Sequence, residues 1–184
     1  MSTARPTQQI QPPPLGSISQ VAYVVQDLDA TLAHWVDVLR VGPFFIFDHA
    51  EIEHQRYRGG PSDIDVTLAV ANSGDIQIEL IYCEDDAPSV YREFLDAGRS
   101  GVHHVGLMPE DYAATCAAYL ALGHAAAFEC RIAGTDLVYF DTVAALGHFT
   151  ELWDRSDSFI AFQQHVKSAA YHWDGSNPVR RGAI

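Results

Sequence analysis

Two stretches of the chain share one pattern: QVAYVVQDLDATLA at residues 20–33 and HVGLMPEDYAATCA at residues 104–117. In each stretch an apolar run precedes an aspartate, Asp27 or Asp111, and an alanine-containing segment follows it. Such apolar runs are typical of buried strands, and aspartate is a preferred N-cap residue of helices. The pattern therefore predicts a strand followed by a helix at both places, which indicates an internal duplication.

The rest of each half continues the duplication. Apolar segments predict three strands after each helix, at residues 44–47, 65–71 and 75–82 in the first half and at residues 125–131, 136–141 and 149–153 in the second. Further helices are predicted at residues 89–96 and 158–171. Residues 48–63 are polar and contain Gly-Gly-Pro, and residues 174–184 form a polar tail.

These elements predict an α+β fold of two tandem βαβββ modules, at about residues 18–83 and 102–154, that form a curved mixed sheet around a cleft. Residues 18–154 make up the domain. Residues 1–17 are rich in Pro, Gln, Ser and Thr, which is typical of a flexible tail. Residues 155–184 add a C-terminal helix and tail.

The composition restricts the partners. The chain has 184 residues, with 11 basic and 24 acidic side chains and a formal net charge of −13. A protein that binds nucleic acid or an anionic membrane surface needs clustered Lys and Arg, so neither partner is expected. The sequence contains no apolar run of about 20 residues and no secretory signal, which favours a cytoplasmic protein. Three cysteines without a CxxC spacing are expected to be small buried hydrophobes in a reducing compartment.

Four polar side chains interrupt the apolar strands at positions related by the duplication: Gln20, Glu79, His104 and Glu151. Gln20 and His104 lie in the first predicted strand of their modules, and Glu79 and Glu151 lie in the last. Because side chains alternate between the faces of a strand, each has a fixed face. The small residues Ala22 and Gly106 share the faces of Gln20 and His104, so we expect room in front of the polar atoms. His103 is expected on the opposite face from His104.

A divalent metal ion explains this set of side chains. Two buried carboxylates without a partner are costly and repel each other, and a divalent cation removes both problems. One imidazole nitrogen and three oxygen-bearing side chains suit octahedral Zn, Ni, Co or Mn, with two positions left for water or substrate. The predicted ligands are therefore Gln20, Glu79, His104 and Glu151.

The sequence resembles the vicinal oxygen chelate superfamily, which includes glyoxalase I, methylmalonyl-CoA epimerase, extradiol dioxygenases and bleomycin-resistance proteins. The resemblance covers residues 18–154 and rests on the duplicated module, on the strand starts SQVAYVVQDLD and HHVGLMPED, and on the strand ends IELI and TELW. It implies metal ligands from the first and fourth strands of each module, at the same four residues. The Gln/Glu/His/Glu set is similar to that of zinc-type glyoxalase I, whereas GVHHVGL and SVYREFL resemble methylmalonyl-CoA epimerases.

The resemblance implies a metal-dependent lyase or isomerase that moves a proton through an enolate or enediolate stabilised by the metal. Glu151 is the first candidate for the catalytic base and Glu79 is the second. The implied substrate is a small carbonyl compound or thioester, and the implied assembly is a homodimer.

Two alternatives remain open. One is a non-catalytic small-molecule-binding protein of the bleomycin-resistance type, which needs no metal. The other is a ring-cleaving dioxygenase, whose Fe(II) is held by two His and one carboxylate. Gln20 leaves only one His in the predicted set, which disfavours the dioxygenase.

Overall fold

The computed structural model describes residues 17–181. Most of the predicted flexible tail, residues 1–16, lies outside the described residues. The strands are β1 (Gln20–Val24), β2 (Phe44–Phe47), β3 (Ile52–Tyr57), β4 (Gly60–Pro61), β5 (Val66–Ser73), β6 (Ile76–Cys83), β7 (Gly101–Leu107), β8 (Ala126–Ile132), β9 (Thr135–Phe140), β10 (Phe149–Trp153) and β11 (Val179–Arg181). The helices are α1 (Leu28–Ala33), α2 (Val90–Asp96), α3 (Tyr112–Ala121), α4 (Val143–Leu146) and α5 (Asp157–Tyr171), and a π-helical turn at His34–Val38 continues α1.

The strands form one mixed sheet in the order β11-β2-β5-β6-β1-β7-β10-β9-β8-β3-β4. Within it, β2-β5-β6-β1 and β8-β9-β10-β7 are two four-stranded units with the same internal order. In each unit the strand that comes first in sequence pairs in parallel with the strand that comes last in sequence, β1 with β6 and β7 with β10. The two units join through the antiparallel pair β1–β7. The predicted α+β fold with two tandem βαβββ modules is confirmed.

Three short strands lie in stretches that carry no apolar strand pattern. Strands β3 and β4 fall within residues 48–63, and β11 falls within the predicted polar tail. Strand β3 pairs with β8 of the second module, and β11 pairs in parallel with β2. An apolar pattern does not reveal these strands, because β3 and β11 depend on partners far away in sequence and β4 is held by its hairpin with β3.

The connection between β2 and β3 requires the sheet to curve. These strands are eight places apart in the strand order, which is about 38 Å across a flat sheet. The chain from Phe47 to Ile52 can span at most about 18 Å. The two ends of the sheet must therefore lie close together, although β2 and β3 do not pair and the sheet stays unclosed.

The two faces of the curved sheet are packed differently. On the convex face, α1 and the π-helical turn cover a core cluster in the first module, and α3 covers a separate cluster in the second. On the concave face, one cluster joins both modules. It is rich in aromatic side chains, which are Tyr91, Phe94, Phe128, Tyr139, Phe149, Trp153 and Phe159.

Helix α5 crosses the concave side from the second module to the first. At its start, Ser156 caps the helix and contacts the hydroxyl of Thr135 at 2.6 Å. Further along, Val166 is fully buried against Phe45 and Val70. No helix within residues 17–181 is both long and apolar enough to cross a membrane.

The helix caps repeat as the strands do. Asp27 accepts a hydrogen bond from the N–H of Ala30, and Asp111 accepts one from the N–H of Ala114, both at 2.9 Å. The equivalence of the two modules thus extends to the residues that begin α1 and α3.

We expect Asp27→Ala and Asp111→Ala to destabilise the protein to a similar extent. Each removes the acceptor of an otherwise unpaired helix N–H, which costs about 1 kcal/mol of unfolding free energy. Urea unfolding followed by circular dichroism measures the change. Asp37→Ala, at an exposed position of the π-helical turn, is the control and should change the free energy by less than about 0.5 kcal/mol. A cost at one cap alone would contradict the equivalence.

Candidate functional site

The four predicted site residues lie on four adjacent strands in the middle of the sheet. Glu79 is on β6, Gln20 on β1, His104 on β7 and Glu151 on β10. Small residues stand between them in the sheet. Ala22 pairs with both Glu79 and His104, and Gly106 pairs with both Gln20 and Glu151. The longer polar side chains can therefore lean over the small ones and meet on the concave face.

Their polar atoms meet at one nitrogen. Nε2 of His104 lies 3.1 Å from Oε1 of Gln20, 3.2 Å from Oε2 of Glu151 and 3.5 Å from Oε2 of Glu79. All four side chains are buried, with His104 fully inaccessible and Glu79, at 9%, the most exposed. The structure thus brings together all four residues that the sequence singled out.

Burial controls the charge of this cluster. It lowers the pKa of His104 to about 3, and the nearby His148 acts in the same direction. Burial also raises the pKa of Glu79 well above its usual value, and the charge of Glu151 adds to this effect. The pKa of Glu151 is raised by burial as well, against opposing hydrogen bonds from Tyr139 and Trp153. Protein atoms alone therefore favour a neutral imidazole beside protonated carboxyl groups, rather than the ion pairs that the distances suggest.

The donor atoms touch one another directly. No group of three or more His, Cys, Asp and Glu side chains in the described part of the chain stands in a ready metal-binding arrangement. The cluster contains the predicted types of donor, and the oxygen atoms of Gln20, Glu79 and Glu151 all approach the imidazole nitrogen Nε2 of His104.

His103 is a site residue whose position the sequence pattern predicted wrongly. Along the β1–β7 pair, Ala22 is opposite His104 and Tyr23 is opposite Val102, so His103 is an extra residue in β7. Such a bulge interrupts the alternation of faces. Nδ1 of His103 consequently lies 3.0 Å from Nδ1 of His104, and His103 is fully buried.

Two other neighbours of the cluster are Gln77 and Tyr139. The amide of Gln20 donates through Nε2 to Oε1 of Gln77 at 2.9 Å, which turns the Gln20 carbonyl oxygen toward His104. The ring of Tyr139 meets the His104 ring edge-on, with the centroids 4.9 Å apart. Gln77 is two residues before Glu79 in β6, so strand alternation could have identified it. Tyr139 carries no comparable signal.

The space above Gly106 is filled. A Cβ atom at this position would lie 2.5 Å and 2.7 Å from the Trp153 ring and 3.0 Å from Oε1 of Gln20. Trp153 in turn packs on Phe159 of α5, with ring centroids 5.0 Å apart. The room expected in front of the polar atoms is thus occupied by aromatic side chains, and α5 helps to enclose the cluster.

Comparison with known proteins gives a family match over most of the domain. The model of a family described as the Glyoxalase/Bleomycin resistance protein/Dioxygenase superfamily matches residues 19–140. No curated protein matches the chain.

Solved structures share the fold at low sequence identity. A hypothetical protein from Bacillus halodurans is 15% identical with a TM-score of 0.57, over 77% of this chain and 95% of its own. Methylmalonyl-CoA epimerase from Mycobacterium tuberculosis is 20% identical with a TM-score of 0.55, over 80% and 93%. A variant of the Streptomyces coelicolor methylmalonyl-CoA epimerase, in complex with 2-nitronate-propionyl-CoA, is 19% identical with a TM-score of 0.51, over 78% and 97%.

We expect Gly106→Ala to destabilise the protein by about 1–3 kcal/mol, because the new methyl group overlaps the Trp153 ring in a packed interior. Urea unfolding measures the loss. Gly60→Ala is the matched control, since a Cβ there meets only a backbone oxygen at 3.5 Å. Its cost should stay below about 0.5 kcal/mol. A Gly106→Ala protein as stable as the wild type would contradict the packing described above.

Proposed function

The chain belongs to the glyoxalase/bleomycin resistance protein/dioxygenase superfamily, and from the side chains that meet at His104 we propose that it is a divalent-metal-dependent lyase or isomerase. In this proposal it is of the glyoxalase I or methylmalonyl-CoA epimerase type. The observation that carries the proposal is the convergence of one imidazole nitrogen, one amide oxygen and two carboxyl groups in a buried cluster.

The donor set fits a divalent metal ion in chemistry, because one imidazole nitrogen, one amide oxygen and two carboxyl groups are donors that such ions accept. The three oxygen atoms lie 3.1–3.5 Å from Nε2 of His104, which brings the donors together without forming a ready metal-binding arrangement in the described residues. We infer that Gln20, Glu79, His104 and Glu151 would hold Zn, Ni, Co or Mn.

The charges also support a cation. Protein atoms alone keep protons on Glu79 and Glu151, since burial raises the pKa of both carboxyl groups. A divalent cation favours the deprotonated forms and balances two carboxylates to a net charge of zero.

When bound, the metal supplies Lewis-acid polarisation of a substrate carbonyl, which makes the adjacent C–H bond more acidic. We assign Glu151 as the base that takes this proton through a carboxylate oxygen and returns it to carbon. Glu79 holds the equivalent position in the first module and is the second candidate. Since the two carboxylates come from opposite sides of the β1–β7 pair, they could serve opposite faces of a planar enolate.

The proposed substrate is a small carbonyl compound or a thioester. The likeness of fold to epimerases solved with CoA compounds supports the thioester. The homodimer implied by the resemblance stays a prediction. Exposed leucines at the end of α3 and in α4, which are Leu120, Leu122 and Leu146, offer apolar surface for it.

A ring-cleaving dioxygenase fits the cluster less well. It needs a second imidazole ligand, and His103 is the nearest candidate. Both ring nitrogens of His103 already face partners, His104 on one side and the Val90 carbonyl on the other. The remaining alternative is a small-molecule-binding protein that needs no metal, and metal analysis distinguishes it from the proposed enzyme.

Elemental analysis of tag-free protein should find about one divalent metal ion per chain, as expected for a single site of this donor set. His104→Ala and Glu151→Ala should lose it, whereas the exposed controls His34→Ala and Glu110→Ala should keep it. A wild-type protein without metal, even after incubation with Zn, Ni, Co and Mn, would contradict the enzyme proposal and leave the binding protein.

Proton exchange tests the chemistry. Incubation of thiol hemiacetals and acyl-CoA thioesters with the metal-loaded protein in deuterated water should place deuterium on the carbon next to the carbonyl, detected by mass spectrometry. Glu151→Gln should slow exchange by about 10²- to 10⁴-fold, because it removes the proton acceptor. Glu110→Gln is the control. A loss in Glu79→Gln but not in Glu151→Gln would transfer the role of base to Glu79.

A further inference from the structure

We propose that Gln77 is a positioning residue, whose side-chain oxygen holds the NH₂ group of Gln20 so that the oxygen of Gln20 faces the proposed metal. The inference rests on the proposed function, because only a bound cation requires an oxygen from Gln20. It assigns Gln77 a role that is exerted through Gln20 rather than by binding the ion.

Gln77 and Gln20 are direct neighbours in the sheet. They are partners in the parallel pair β1–β6, and Gln77 lies two residues before Glu79, so it shares the concave face with the cluster. Nε2 of Gln20 donates to Oε1 of Gln77 at 2.9 Å. Oε1 of Gln20 lies 3.1 Å from Nε2 of His104. The amide of Gln20 thus has one polar atom toward Gln77 and the other toward the cluster.

A divalent cation decides which amide atom must face the cluster. Glutamine amides bind such ions through the carbonyl oxygen, since the NH₂ group only donates hydrogen bonds. Turning both amides round would keep a hydrogen bond between Gln77 and Gln20, but it would place an NH₂ group where a ligand is needed. With the ion bound, the NH₂ group of Gln20 therefore faces Gln77, and Gln77 must present its oxygen.

The NH₂ group of Gln20 needs this acceptor because it is shielded from water. Gln20 is 4% exposed and Gln77 is 1% exposed. A buried donor without a partner loses its hydrogen bonds to water and gains nothing in return. Without the oxygen of Gln77, turning the Gln20 oxygen toward an ion would leave such a donor, and the cost would weaken metal binding.

The second module differs at the equivalent position. Gln77 pairs with Gln20 as Phe149 pairs with His104. Phe149 has no hydrogen-bonding group in its side chain, and an imidazole ligand has no NH₂ group that needs one. The polar neighbour therefore stands in the module whose first strand carries an amide ligand.

The side chain of Gln77 contributes little else to the fold. Within residues 17–181, its Nε2 atom is buried and has no hydrogen-bond partner. An apolar side chain at this position would avoid that cost and would pack at least as well. The presence of glutamine therefore favours a role toward Gln20 over a role in packing.

A double-mutant cycle on Zn²⁺ affinity, measured by competition with a chelating dye, tests this role. Gln77→Met keeps a side chain of similar length but removes the acceptor, and affinity should fall about 10- to 100-fold. In a Gln20→Ala background, which keeps the other three ligands, Gln77→Met should change affinity by less than about twofold, because no NH₂ group is left to hold. Gln26→Met, at an exposed glutamine, is the control and should leave affinity unchanged.

The visible absorption of the Co²⁺-loaded proteins gives a second readout, since it depends on the donors around the ion. Gln77→Met should give the spectrum of Gln20→Ala rather than that of the wild type. Gln77→Glu keeps an oxygen atom where Oε1 of Gln77 stood, so it should keep the wild-type spectrum. This variant is judged by its spectrum, because the added acidic group also changes affinity through its charge.

Three results would overturn the inference and leave the proposed function standing. These are equal Zn²⁺ affinity in the wild type and Gln77→Met, equal losses from Gln77→Met in both backgrounds, or a Gln77→Glu spectrum like that of Gln20→Ala. Absence of Zn²⁺ and Co²⁺ binding to the wild type would refute the proposed function, and the inference with it. Circular dichroism shows which variants fold, and if Gln77→Met does not, the spectrum of Gln77→Glu decides alone.

Discussion

The antiparallel pairing of β1 with β7 is the contact on which the rest of the structure depends. It joins two modules into one sheet and sets Gln20 beside the strand of His104. Because each first strand also pairs with the last strand of its own module, Glu79 and Glu151 arrive on either side. A shift of this pairing by one residue would turn Gln20 to the convex face and separate the four side chains.

Much of this could be predicted from the sequence, because the duplication repeats both the helix caps and the strand periods. The four side chains at the centre followed, since a polar residue in a buried strand is conspicuous. His103 was misplaced because face alternation holds only where no residue bulges out of the ladder. The filling of the cleft by Trp153 and Phe159 was equally hidden, since apolar residues in a strand or helix do not reveal what they cover.

In the enclosed cluster, burial makes the charged forms of Glu79, His104 and Glu151 costly, and short contacts hold the side chains in place. Two carboxyl groups and an imidazole are buried, with Glu79 the most exposed at 9%, and aromatic rings pack around them. An orientation imposed on one group, such as the turn of Gln20 by Gln77, is therefore transmitted to the next through short contacts. Apolar packing covers both faces, and on the concave face it encloses the polar cluster.

The pairing of β3 with β8 means that the unit repeated in the sequence differs from the unit that completes the sheet. The duplication divides the chain into two equivalent halves, but the hairpin of β3 and β4 is encoded in the first half and pairs with the edge of the second. A fragment ending after β6 would carry an orphan hairpin, and the matching fragment would expose the bare edge of β8. The repeated unit of the sequence is one module, whereas the sheet is completed only by both modules, because β3 belongs to the first module in sequence and pairs with the second in space.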